Sequence, residues 1–285
     1  MPPRQPVRCL AACLLAIVLA ILHGQEAQAR TPAPIQAQTQ TQAPARTLEQ
    51  VRSAGLLRVC VWPDYFGIGS RHPRSGELQG LDIDLSRALA ADLGVRVEHV
   101  ETDFGRFADD LSRRRCEVAM MGVGVTAERR ARVAFTRAYL RSDVYAVVSR
   151  HDPKLRGWED LDRAGRVIAV QRGTYMEPLM RGRLREARLL VVERPGERER
   201  AVESGRADAF ITDYPYSRRV LASADWARVI APPSPVQITD YAYAVAQGDA
   251  QWLERLDAFV LAIRRDGRLA AAAQRHGLSA ILALD

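Results

Sequence analysis

No Cys-x-x-Cys pair occurs in the 285 residues, and the five histidines, among them His99, His151 and His276, are widely spaced, so the spacing supports neither a metal site nor a bound cofactor. Aromatic residues make up 6% of the chain, and none of them interleaves a basic stripe. The net charge of +7, from 41 Lys and Arg against 34 Asp and Glu, therefore excludes nucleic-acid binding as the leading reading. Nearly all of the positive side chains are arginine, scattered among acids on what should be solvated helix faces. The apolar run Leu10 to Leu22 is too short for a retained membrane span, and no stop-transfer charge cluster follows it.

That run is preceded by Arg4 and Arg8 and followed by Ala27-Gln28-Ala29, small residues placed for cleavage before Arg30. Residues 1–29 thus read as a secretory signal peptide that directs the chain to the periplasm. Leu10-Ala-Ala-Cys13 precedes the apolar region instead of following it, which argues against lipidation. Residues 30–47 are almost entirely Thr, Pro, Ala and Gln, cannot bury a core, and read as a tether. Beyond the signal only Cys60 and Cys116 remain. Cys60 falls in the first strand and Cys116 at the start of a strand that should neighbour it, so in an oxidising compartment a disulfide is expected, two free buried cysteines being the alternative.

Short strands and helices then alternate. Leu57–Val61, Val95–Val100 and Val118–Met121 read as strands, with helices over 80–94 and 104–114 between them, a βαβαβ pattern that predicts a parallel sheet flanked by helices. Tyr145–Ser149 is a further extended run, after which a second set has strands at 167–170, 189–192, 209–212 and 228–230. After Pro232-Pro-Ser-Pro235 come a strand at 241–246 and two closing helices, which need a partner surface. The expected fold class is α/β with two lobes, each a mainly parallel sheet, and a cleft between them. Residues 48–147 form the first part of lobe 1, 148–235 form lobe 2, and 236–285 return to lobe 1.

The segment Val118-Ala-Met-Met-Gly122-Val-Gly124-Val-Thr126-Ala-Glu-Arg129 carries the most chemistry. Glycines at the end of a buried strand leave backbone groups open where α/β sheets bind ligands. Arg129 offers a planar fork of donors suited to a carboxylate, and Thr126 is placed to cap the helix that holds it. The alternative for Arg129 is a solvated helix arginine beside Arg130 and Arg132. Gly173 and Thr174 lie between a strand and a helix, where amides can close over an anion. Asp213 ends the buried strand 209–212 and is also placed to cap the next helix.

The chain resembles the periplasmic solute-binding proteins of the polar amino-acid type, family 3, which serve ABC importers. The resemblance covers most of residues 55–280. It rests on Leu57-Arg-Val-Cys-Val-Trp-Pro-Asp-Tyr65, Gly80-Leu-Asp-Ile-Asp-Leu85, the Gly122–Arg129 segment with Phe135-Thr-Arg-Ala-Tyr139, Val170-Gln-Arg-Gly-Thr174 and Gly205-Arg-Ala-Asp-Ala-Phe-Ile-Thr-Asp213. It implies that Arg129 binds a ligand α-carboxylate, that Asp213 accepts from an α-ammonium, and that Tyr65 stands over the ligand side chain, an aromatic wall suited to an apolar or a cationic group. Gly122, Gly124, Thr126, Gly173 and Thr174 complete the implied site, and Trp62, Asp64, Ile68 and Tyr216 are further candidates for lining it, Trp62 having a core role as its alternative. Two departures stand out: family members usually carry serine where Gly124 stands, and Gly67-Ile68 replaces the usual Pro-Phe after Tyr65. The implied partners are a small zwitterionic or carboxylate ligand and an inner-membrane permease, the protein itself being a monomer and not an enzyme.

Two other resemblances share parts of these motifs. Secreted cyclohexadienyl dehydratases, lyases of the same two-lobed fold, have a glutamate three residues after the aspartate of their Thr-Asp segment. Here that position is Tyr216, and Leu140-Arg-Ser-Asp-Val144 replaces their Gly-Lys-Thr segment. The solute-binding-like proteins that accompany quinoprotein alcohol dehydrogenases resemble the chain at Leu57-Arg-Val-Cys60, Cys116 and Tyr139-Leu-Arg-Ser142, and would make it an accessory module.

Overall fold

The computed structural model describes residues 47–194 and 196–284. The signal peptide expected over 1–29 and the tether before Thr47 lie outside the described residues, and Thr47 itself opens a helix that the sequence reading does not anticipate.

In chain order the elements are α1 (Thr47–Ala54), β1 (Leu56–Val61), β2 (Asp64–Tyr65), β3 (Gly69–Arg71), β4 (Leu78–Gln79), α2 (Leu81–Leu93), β5 (Arg96–Glu101), α3 (Phe107–Ser112), β6 (Val118–Gly124), α4 (Ala127–Arg130), β7 (Val133–Phe135), β8 (Leu140–Ser142) and β9 (Val144–Ser149). The rest are β10 (Val167–Gln171), α5 (Met176–Arg183), β11 (Arg188–Val192), α6 (Glu197–Glu203), β12 (Ala209–Asp213), α7 (Tyr214–Ser223), β13 (Ala227–Ile230), β14 (Thr239–Ala246), α8 (Ala250–Arg265) and α9 (Arg268–Arg275).

Two sheets organise the molecule into two lobes. The first has the order β5-β1-β6-β14-β7, with β8 also on β14; the second has the order β11-β10-β12-β9-β13. Each is mixed: the β1 and β10 pairings are parallel, as the βαβ grammar requires, whereas β14 and β9 run antiparallel to their neighbours. The chain crosses to the second sheet between Ser142 and Val144, ahead of the boundary expected at residue 148, and crosses back between Ile230 and Thr239. β14 then pairs with β6 in the first sheet, and α9 packs on α2.

The central strands β6 and β12 are buried along their whole length, which explains their unbroken apolar character. Helix α2 buries a stripe that includes Leu81, Leu85, Leu89 and Leu93. The disulfide is present: Cys60 in β1 and Cys116, just before β6, are joined with a Cα–Cα distance of 5.5 Å. The small sheet β2-β3-β4 is not anticipated from sequence; it folds the 62–80 loop back on itself and sets Tyr65 facing inward.

Candidate ligand site between the lobes

The site begins with an irregularity in β6. Opposite β14, Ala119 and Val123 pair with Ala244 and Ala242, so β6 carries two more residues than its partner over that stretch. The surplus is taken up around Gly122, whose φ of +63° only glycine adopts at little cost. Its amide donates to Asp82 Oδ2 at 2.8 Å, and Tyr139 donates its hydroxyl to the same oxygen at 2.6 Å. A Cβ at Gly122 would stand 2.8 Å from Tyr65 Cε1, so the glycine also makes room for the tyrosine ring.

Beyond Gly124, Thr126 caps the single turn α4, its hydroxyl accepting from the Arg129 amide at 3.2 Å. The turn directs Arg129 back over the end of β6. There Nη1 donates to the Gly124 carbonyl at 2.8 Å, and Nη2 reaches across the cleft to the Gly173 carbonyl at 3.0 Å. The guanidinium lies 5.2 Å from the Phe104 ring centre and 5.6 Å from that of Phe107. Burial draws its pKa down to about 10, against the opposing pull of Tyr175 and Glu128, so it is still a cation at neutral pH. No carboxylate among the described residues pairs with it.

From the opposite lobe, Asp213 ends β12 and caps α7, accepting from the Tyr216 amide on Oδ1 at 3.3 Å. Its Oδ2 accepts from the Tyr241 hydroxyl at 2.5 Å and from the Tyr65 hydroxyl. Tyr65 and Tyr241 belong to the first lobe, so both bonds span the cleft. Burial raises the Asp213 pKa, while the two hydroxyls and the charge of Arg198 pull it the other way.

Arg129 and Asp213 thus line one cavity, together with Trp62, Tyr65, Gly122, Gly124, Thr174 and Tyr216 of the anticipated residues. Its volume is about 20 Å³, on the scale of one or two water molecules, so an amino acid can enter only if the lobes part. Trp62 serves both of its alternatives: it is 4% exposed and packs edge-on against Phe104, yet it borders the cavity.

Other anticipated residues fall elsewhere. Asp64 is exposed, and Ile68 is buried behind Gly122, where it would meet a Cβ at 3.4 Å; neither lines the cavity. Gly173 and Thr174 do not present free amides. The Gly173 amide faces Glu177 Oε2 at 3.3 Å and the Thr174 amide closes a turn onto the Gln171 carbonyl, so the Gly173 carbonyl is what meets Arg129. Gly124 has a local reason: a Cβ there would stand 3.1 Å from both Tyr175 and Thr239, so Tyr175 fills the space a serine would use.

Phe104, Tyr175, Met176, Arg198 and Thr212 also line the cavity without having been singled out from sequence. For Arg198 a signal was present: with Ala201 and Val202 it forms the inward stripe of α6, a position that a solvated arginine would not take.

Comparison with known proteins bears on the fold and the family of the chain. The chain is 26% identical over 219 residues to a cyclohexadienyl dehydratase of Pseudomonas aeruginosa, covering 74% of this chain and 81% of that protein. It is 27% identical over 205 residues to a probable amino-acid ABC transporter-binding protein of Haemophilus influenzae, covering 70% of this chain and 76% of the relative. Among solved structures, an ancestral amino acid-binding protein described as a precursor of cyclohexadienyl dehydratase superposes with a TM-score of 0.73 at 29% identity, covering 81% of this chain and 99% of the other. A two-lobed α/β fold, a cleft at the strand ends and a sequence profile that matches residues 57–279 together place the chain in the bacterial extracellular solute-binding proteins, family 3.

Proposed function

We propose that this protein is the periplasmic substrate-binding component of an ABC importer, and that it captures an amino acid or a related small carboxylate-bearing solute as its lobes close. The observation that carries this reading is the placement of Arg129 and Asp213 on opposite walls of one cavity. A buried guanidinium with only carbonyl partners suits an incoming carboxylate, and a buried carboxylate held by neutral hydroxyls suits an ammonium. Because the two charges sit on different lobes, a zwitterion that bridges them favours the closed arrangement.

The protein makes and breaks no bond in this reading. At the position where the dehydratases carry glutamate, Tyr216 points its hydroxyl at Glu199, and Glu199 does not line the cavity. The glutamate of those enzymes thus has no counterpart at this position, which supports a binding role over their chemistry.

Calorimetric titration of the purified protein with amino acids tests the reading. Arg129→Ala should lose at least 30-fold in affinity, in line with the roughly 2–5 kcal/mol typical of truncating a buried charged contact. The variant should still unfold cooperatively. Unchanged affinity in a folded Arg129→Ala protein, or turnover of prephenate by the wild type, would overturn the proposal.

A further inference from the structure

Helix α6 opens Glu197-Arg-Glu-Arg200, a sequence that suggests a solvated face, yet Arg198 is only 2% exposed. Its guanidinium lies 4.3 Å from the Tyr216 ring centre and 5.2 Å from that of Phe210. Nη1 donates to the Ile211 carbonyl at 3.3 Å, and Nε has no partner. The adjacent Glu199 is turned away: one of its oxygens accepts from the Tyr216 hydroxyl and the other is unpartnered. Among the described residues Arg198 makes no direct ion pair with a carboxylate, Asp213 being the one across the cavity on which its charge acts, an arrangement that is costly unless something else supplies the counter-charge.

The cavity wall supplies a place for that counter-charge. Arg198 borders the same space as Arg129 and Asp213, so two guanidinium groups and one carboxylate face it. A simple zwitterion would satisfy Arg129 and engage Asp213, the one carboxylate that also acts on Arg198, and so leave the cavity with one positive charge in excess. A cationic side chain would enter a space that already holds two guanidinium groups, and three of the aromatic rings about it are covered, Phe104 and Phe107 by Arg129 and Tyr216 by Arg198 and Arg219, which leaves Trp62, Tyr65 and Tyr175. We infer that Arg198 receives a second anionic group, so that the preferred solute is a small amino acid with an acidic side chain. This rests on the Arg129–Asp213 grip proposed above and adds the side-chain class.

The test is calorimetric titration of the purified full-length protein with L-glutamate, L-glutamine, L-aspartate, L-asparagine, L-arginine and L-lysine. Each acid and its amide match in shape and differ by one charge. The expected result is at least tenfold tighter binding of an acid than of its amide in one pair, with arginine and lysine weakest. Arg198→Gln should abolish that ratio, and Arg198→Lys should retain part of it. Amides or cations binding as tightly as the acids would overturn the inference and leave the grip standing, as would an unchanged acid-to-amide ratio in a folded Arg198→Gln protein. If Arg198→Gln does not fold, the wild-type ratio and its partial retention in Arg198→Lys decide. Failure of all six to bind would overturn the inference, while the grip itself stands or falls with the Arg129→Ala titration.

Discussion

Asp82 and Asp84 lie two residues apart on α2 and meet opposite fates. Asp84 is held by Arg275 at 2.9 Å and His276 at 3.0 Å near the surface, which lowers its pKa against the effect of partial burial. Asp82 is fully buried behind Gly122, and burial pushes its pKa up to about 7 despite the Tyr139 and Gly122 hydrogen bonds. The native carboxyl therefore keeps a proton that the unfolded chain has released above about pH 4. Its contribution to stability is complete below the unfolded pKa and is lost as pH rises through 7. Asp82→Asn removes this titration, so between pH 5 and pH 8 the wild type should lose roughly 2–3 kcal/mol relative to the variant. Denaturant unfolding of both proteins at the two pH values measures this, and parallel pH profiles would refute it. Sequence separates these two aspartates poorly, because both fall in the first turn of one helix; Arg129 was legible from the strand-end glycines and the helix start beside it, and the family resemblance supplied the ligand roles expected of Arg129 and Asp213.

Among the elements, the two crossovers between sheets depend on one side chain. Asp143, between β8 and β9, accepts from the Val144 and Gln237 amides at 2.8 and 2.7 Å on Oδ1 and from the Val236 amide at 3.0 Å on Oδ2. The outgoing and returning strands are thereby pinned together where the lobes must pivot. Asp143→Ala should cost about 2–4 kcal/mol, the scale expected for charge-assisted bonds of a partly buried group. Chemical denaturation reads this directly, and a loss under about 0.5 kcal/mol would show that the pin is dispensable. The long elements were legible because periodicity needs length: α2, β6 and α8 each span enough residues to show a stripe or an unbroken apolar run. The strands β2, β3, β4, β7 and β8 span two or three residues each, too few for alternation to register, and β7 and β8 are held by β14, which returns from far along the chain. Tyr241 lies on a longer strand that the sequence did show, but its role went unseen because it comes from where β14 returns and not from its own neighbours.

The first lobe is further fixed by its disulfide. Cys60 and Cys116 are separated by 56 residues, and closing a loop of that size stabilises the native state by about 4 kcal/mol on a chain-entropy account. Replacing both cysteines with alanine should lower the melting temperature by roughly 10 °C in a calorimetric scan; an unchanged transition would mean that the β1–β6 packing suffices alone. The alternation of strands and helices made both lobes readable from sequence, whereas the closeness of their contact was not, because it depends on side chains meeting from opposite walls. One such meeting has a consequence for how the protein would work as a receptor. The phenols of Tyr65 and Tyr241 already occupy Asp213 Oδ2, so in the proposed role an arriving ammonium does not meet an idle acceptor but competes with two resident donors. Capture is then a substitution reaction in which the protein is its own rival, and observed affinity measures only the margin by which the solute wins. A receptor built this way can recognise its cargo through a strong, dry ion pair and still let it go, because the phenols stand ready to take the carboxylate back.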